Sequence, residues 1–218
     1  MSGKLVIVGA GGHGKGTLEI LRARRAAGLD VPEVIGFVDD GPAATGPVAG
    51  LPLLGPTAWL VERAGTDPLW GILALAAPGA KRRLDERLSA GGVRWATAVH
   101  PSVITAAGVH IEEGAIVGAG VVVAYDTRIG RHTTVNLNAT VGHDCRIGDY
   151  STVAPGVNIT GHVSLGQGVE VQTNATIVPG LTLGDGARIG PGSVILRDVG
   201  PGEFYFGNPA RKMPENLR

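Results

Sequence analysis

An internal disulfide framework and a cysteine-cluster metal centre are excluded at once, because the chain of 218 residues holds a single cysteine, Cys145. Aromatic residues are scarce too, three each of Phe, Trp and Tyr, so any core must be filled with aliphatic side chains. Neither sign of charge is in excess: 19 Lys and Arg face 19 Asp and Glu, and residues 1–97 carry 11 basic and 9 acidic groups against 8 and 10 in the rest. Electrostatic capture of nucleic acid is therefore not expected. Long apolar runs are missing. A stretch such as Leu69 to Ala77 cannot span a bilayer, and the first ten residues have no signal-peptide layout, so a soluble, cytoplasmic protein without a membrane partner is expected. The length suits one larger domain or two small ones.

What the chain has in quantity is glycine, 36 residues, about twice the usual ~7% share. Much of it belongs to a repeat. Every sixth residue from Val99 to Ile195 is Val, Ile or Leu at 16 of 17 positions, the exception being Thr105. Those three residue types fill 29 of the 97 positions in this window, so chance would place only about five of them there. Four residues after the aliphatic stands, at most positions, a small or β-branched residue, as at Thr127, Thr133, Ala139, Cys145 and Ser151, and Gly often follows the aliphatic directly, as at Gly130, Gly142 and Gly148. A period of six fits neither a helical face nor a hairpin array. It fits a parallel β-helix with three hexads per triangular coil, the aliphatics pointing inward and the small residues and glycines allowing tight corners. Residues i and i+18 then lie one strand spacing apart, about 4.8 Å.

This repeat, over residues 98–196, resembles the hexapeptide-repeat, left-handed β-helix acyltransferases. That likeness implies a homotrimer about an axis parallel to the prism.

The first half reads differently. Lys4 to Gly9 is a compact β-branched run that enters Gly9-Ala10-Gly11-Gly12-His13-Gly14, and an amphipathic segment with Leu18, Ile20 and Leu21 follows. Val34 to Val38 predicts a second strand ending at Asp39-Asp40, Gly41 to Pro56 a loop, Thr57 to Ala64 a helix capped by Thr57, Leu69 to Ala77 a third strand and Lys81 to Ala90 a charged helix. Alternating strands and helices imply a Rossmann-like parallel sheet of about four strands over residues 1–97, with residues 98–218 forming the β-helix and a C-terminal tail. Gly9, Gly11 and Gly14 match G-x-G-x-x-G, a loop whose bare N–H groups and helix start accept a diphosphate, and Asp39 stands where a ribose or base edge would meet it. A sheet this small suits a nucleotide-sugar better than a full dinucleotide; a glycine loop that serves tight packing alone stays open.

The Gly-Gly-His-Gly loop, the Gly-Phe-Val-Asp-Asp strand end and the C-terminal β-helix together resemble bacterial sialic-acid and amino-sugar acetyltransferases of surface-glycan synthesis, over nearly the whole chain. By that resemblance Gly11, Gly12 and His13 would line the diphosphate and sugar, and Asp39 and Asp40 would contact the base or ribose. The segment Asn136 to Asp149 looks like the family's catalytic stretch, with Asn136 near the base. The arm of acetyl-CoA would pass a corner column of Pro155, Thr173 and Pro191, with Arg211 and Lys212 approaching its phosphates. Relatives often carry a second histidine nine residues after the catalytic one; here that position is Thr152, a hydrogen-bond donor that cannot share a proton.

The residues themselves point to His143. It lies two positions past the inward Val141, at a corner, so its side chain faces outward, with Asp144 next to it. One coil on stands Gly161, whose missing side chain leaves room and whose N–H could meet a thioester oxyanion near bound CoA. The chemistry expected is direct acyl transfer from acetyl-CoA, His143 accepting a proton from the attacking sugar nitrogen or hydroxyl and Asp144 orienting the ring. No metal is expected: histidines five residues apart, as a β-helix hydratase needs, do not occur. Cys145 occupies an inward position and reads as core. Sugar O-acetylation and a non-catalytic nucleotide-sugar-binding trimer remain the alternatives to amino-sugar N-acetylation.

Overall fold

The computed structural model describes residues 3–41, 46–64 and 69–214, and the chain divides into two compact units, Met1–Pro101 and Ser102–Arg218. The first contains β1 (Lys4–Val8), α1 (Gly12–Ala26), β2 (Glu33–Val38), β3 (Leu53–Gly55), α2 (Ala58–Ala64), β4 (Leu69–Leu73), α3 (Pro78–Ala90) and β5 (Arg94–Trp95). The strands pair in parallel in the order β3-β2-β1-β4-β5. Leu5, Val6, Ile7 and Val8 of β1 are buried whichever face they point to, as a central parallel strand requires. The sheet has five strands where the sequence suggests about four. The additional one, β3, is three residues long and sits between Pro52 and Pro56, too short to show an alternation. Helix α3 starts at Pro78, ahead of the expected Lys81, because proline at the first position needs no N–H partner there.

The second unit is a left-handed parallel β-helix. Its strands are two residues long and each pairs with the strand eighteen residues on: Val123 with Val141 and Ile159, Ile129 with Ile147 and Leu165, Val135 with Val153 and Val171. These three series are the inner sides of three flat faces. From Val117 to Ile195 every residue of the six-step series is buried, which gives the core its mainly aliphatic filling. Thr105 is exposed and Ile111 half-buried at the first coil.

The corners obey a rule different from the one expected. Every sixth residue from Gly108 to Gly192 has a φ between +51° and +78°, including Asp126, His132, Asn138, Asp144, Tyr150, His162 and Asn174. The left-handed residue is thus the third after the inward aliphatic, not the glycine directly behind it. That glycine is there for space: a Cβ on Gly142 would lie 2.5 Å from the carbonyl carbon of Thr160 in the next coil. The small inward residues also satisfy corner carbonyls fifteen residues on, as Thr127 Oγ1 donates to Gly142 O (2.8 Å) and Thr133 Oγ1 to Gly148 O (2.9 Å).

Candidate active site

In the first unit, chain order and sheet order reverse between β2 and β4 around β1, which opens a crevice at the C-terminal ends of β1 and β4. The glycine loop lines it. Gly9 has φ +107°, and a Cβ there would meet Ala74 O at 2.8 Å; a Cβ on Gly14 would collide with the carbonyl oxygen of Gly9. Gly11 and Gly12 differ, since a Cβ on either would meet no neighbour within 4 Å. Two glycines therefore serve packing, and two leave the backbone at the start of α1 exposed to a ligand. His13 is half-buried beside them, and burial, reinforced by the Lys81 ammonium, holds its imidazole below the usual pKa.

The two aspartates part company. Asp39 Oδ2 accepts the N–H of Ala10 at 2.7 Å and Oδ1 that of Gly41 at 2.7 Å, which ties the end of β2 to the glycine loop. Asp40 turns to α2 and α3: it accepts the Thr57 N–H (2.7 Å) and hydroxyl, and pairs with Arg87 at 3.1 Å. Burial pushes the Asp40 carboxyl up, but the Thr57 and Arg87 interactions more than offset it and hold it below the usual range. Its expected contact with base or ribose thus competes with a structural role.

In the second unit, His143 stands at the corner between the Val141 and Ile147 faces, 38% exposed. Its Nδ1 lies 2.8 Å from Asp144 Oδ2. A ring that donates its Nδ1–H to a carboxylate carries its lone pair on Nε2. One coil before, the Tyr125 ring stacks on the imidazole with centroids 5.0 Å apart and 11° between planes. One coil after, a Cβ on Gly161 would fall 2.6 Å from Nε2, so the imidazole itself fills the space that the sequence reading left for a ligand. His162, directly above or below Asp144 in the stack, meets His143 edge-on at 4.9 Å. Cys145 is core as expected: its thiol donates to Thr160 O at 3.0 Å, and burial pushes its pKa up.

Other expected residues stand elsewhere on the prism. Asn136, Pro155, Thr173 and Pro191 all belong to the corner between the Val135 and Val141 faces, and Asn136 Oδ1 accepts the N–H of Leu137 at 2.8 Å. Thr152 lies in the strand Thr152–Val153 and is buried. None of these shares the His143 corner within one chain. Arg211 and Lys212 lie in a terminal hairpin and, with Leu196, Arg197 and Tyr205, line a cavity of about 410 Å³. Arg197 is three coils after His143 in the same column, roughly 14 Å along the stack. Tyr125, His162 and Arg197 were missed, although steps of eighteen point to Tyr125 and Arg197 from His143 and to His162 from Asp144.

A parallel β-helix with an outward histidine–carboxylate pair at one corner, joined to a small parallel α/β unit with an open glycine loop, defines a left-handed β-helix acyltransferase. Residues 4–88 match the PglD N-terminal domain, residues 126–161 and 162–197 the bacterial transferase hexapeptide family, and residues 101–125 the hexapeptide repeat of succinyl-transferase. Among solved structures, the chain is similar to a histidine-to-asparagine variant of perosamine N-acetyltransferase from Caulobacter crescentus in complex with CoA and GDP-perosamine (30% identity, 98% of each chain, TM-score 0.89). It is also similar to the acetyltransferase domain of PglB from Neisseria gonorrhoeae in complex with acetyl coenzyme A (28%, 98% and 100%, 0.87) and to WeeI from Acinetobacter baumannii (27%, 98% and 100%, 0.85). None of the curated protein sequences searched matches it. The chain belongs to the hexapeptide-repeat sugar acetyltransferases with a PglD-type N-terminal domain, and is an acetyl-CoA-dependent acyltransferase.

Proposed function

We propose that the enzyme N-acetylates the amino group of a nucleotide-linked amino-deoxy sugar, with His143 as general base. The single observation that carries this is the 2.8 Å contact from His143 Nδ1 to Asp144, which leaves Nε2 as the proton acceptor at an accessible corner. The sugar amine attacks the thioester carbonyl, Nε2 takes the ammonium proton, and the Asp144 carboxylate stabilises the imidazolium. The Gly161 N–H receives the oxyanion; collapse of the tetrahedral intermediate breaks the C–S bond, and the imidazolium returns the proton to the leaving CoA thiolate. GDP-perosamine bound to the Caulobacter relative supports this acceptor class.

The residues 1–97 form the nucleotide-sugar-binding domain in this reading: N–H groups around Gly11 and Gly12 face the diphosphate, His13 approaches it as a neutral donor, and Asp39 braces the loop. CoA extends towards the cavity where Arg197 and Arg211 offer guanidinium groups to its phosphates. The enzyme acts as a homotrimer in the cytoplasm, where acetyl-CoA is made, and its product enters surface-glycan synthesis. Thiol release from acetyl-CoA, measured against GDP- and UDP-linked 4-amino sugars, their hydroxy counterparts and free sialic acid, tests the acceptor. Turnover confined to amino sugars is expected; turnover confined to hydroxyl acceptors would overturn it.

A further inference from the structure

The geometry points to a divalent transition-metal site of the zinc class at His143, Asp144 and His162, whose occupation switches acetyl transfer off. One ligand atom from each residue lies within 4.8 Å of the other two. Asp144 Oδ2 is 2.8 Å from His143 Nδ1 and 3.8 Å from His162 Nδ1. Ligand atoms in a tetrahedral zinc site stand about 2.0 Å from the metal and hence roughly 3.3 Å apart, so the observed separations straddle the one required and small side-chain rotations reach it. Two imidazoles and one carboxylate are a donor set that zinc accepts, and the exposed side of the corner leaves a fourth position for water.

The backbone holds these three groups in register. Asp144 and His162 occupy equivalent left-handed positions in successive coils, with φ of +56° and +57°. The His162 N–H donates to His143 O at 2.9 Å, so the spacing of the ligands is that of the sheet. Histidines nineteen residues apart do not look like a metal pair in sequence, yet nineteen is one coil plus one residue.

The inhibitory consequence rests on His143 being the general base. A neutral imidazole has one nitrogen lone pair. While Nδ1–H is donated to Asp144, that pair is on Nε2 and accepts the substrate proton. A metal on Nδ1 takes the pair there, and Nε2 then carries hydrogen and cannot accept.

The test uses chelator-treated full-length protein, titrated with Zn²⁺ by calorimetry and with Co²⁺ by visible absorption. One metal per chain and the intense spectrum of four-coordinate cobalt are expected. His162→Gly, which suits the left-handed backbone, and Asp144→Asn should each weaken binding by about tenfold or more. Zinc should suppress acetyl transfer over the concentrations at which it binds, a chelator should restore it, and the His162→Gly enzyme should need correspondingly more zinc. A six-coordinate cobalt spectrum, or affinity unchanged in both variants, would overturn the site; undiminished turnover at full occupancy would overturn the switch. Metal binding is read without substrate, so a chain that binds metal at these residues but transfers no acetyl group to any acceptor upholds the site and fails the catalytic reading alone.

Discussion

An imidazole accepts a proton only through the nitrogen that holds its lone pair, and at His143 the Asp144 carboxylate decides which nitrogen that is. Replacing His143 by Ala should therefore lower kcat by about 10²–10⁴-fold while leaving KM for the acceptor nearly unchanged, as steady-state kinetics will show. Gly161→Ala is a subtler probe. Its backbone needs no left-handed conformation, and the three atoms nearest its new Cβ would all belong to the rotatable His143 ring, with Nε2 at 2.6 Å. The ring should swing away, so kcat should fall while the thermal midpoint stays within a degree or two. An enzyme with full turnover in this variant would show that the observed ring position is not the working one. His13 offers a pH readout: its folded pKa is depressed, so its contribution to stability is complete above about 6.5 and is lost as the pH falls through the lower folded value. His13→Asn should flatten that part of the stability profile.

Among elements, the coil tolerates least where its rungs approach most closely. Gly142→Ala would drive a Cβ to within 2.5–2.7 Å of the Thr160 and Gly161 backbone, which cannot rotate away. The expected cost is on the order of 1–3 kcal/mol, measured as a fall in denaturation midpoint, in contrast to the near-neutral Gly161→Ala in the next coil. In the α/β unit, Asp40 joins the end of β2 to α2 through Thr57 and to α3 through Arg87. Its carboxyl is held below 3.8, so the stability it contributes is complete above that value and lost as the pH falls through the folded pKa. Asp40→Asn should lower the thermal midpoint at neutral pH and narrow the gap to wild type in acid; a gap constant across pH would show that the carboxylate charge adds nothing.

For the whole molecule, the central fact is that the expected site residues occupy two corners of one prism. His143 stands between the Val141 and Ile147 faces, Asn136 and Thr173 between the Val135 and Val141 faces. A single chain cannot bring these edges together, whereas a seam between neighbouring subunits can. Sedimentation should accordingly report a trimer. Mixing two inactive variants, one at His143 and one at Asn136, after denaturation and joint refolding should restore part of the activity, because some seams then combine two intact edges. If the mixture stays inactive although each variant refolds to the native oligomer, both edges do not serve one site.

The six-residue period, and with it the coil, the eighteen-residue stacking and the outward aspect of His143, could be read from the sequence because each inward aliphatic repeats a local packing demand that shows in residue type. The glycine loop was equally legible as a motif, and Gly14 answers to a contact within that strand–loop–helix unit, whereas Gly9 answers to Ala74 on the neighbouring strand end. Tertiary structure alone decided that Asp40 is engaged by Arg87, that β3 completes the sheet, that the ring of His143 occupies the Gly161 gap and that His162 shares the Asp144 carboxylate. The interval of eighteen brings those coil positions into one column, but which way a ring turns there, and which side chains from separate strands and helices meet in the α/β unit, depends on packing that residue order does not record.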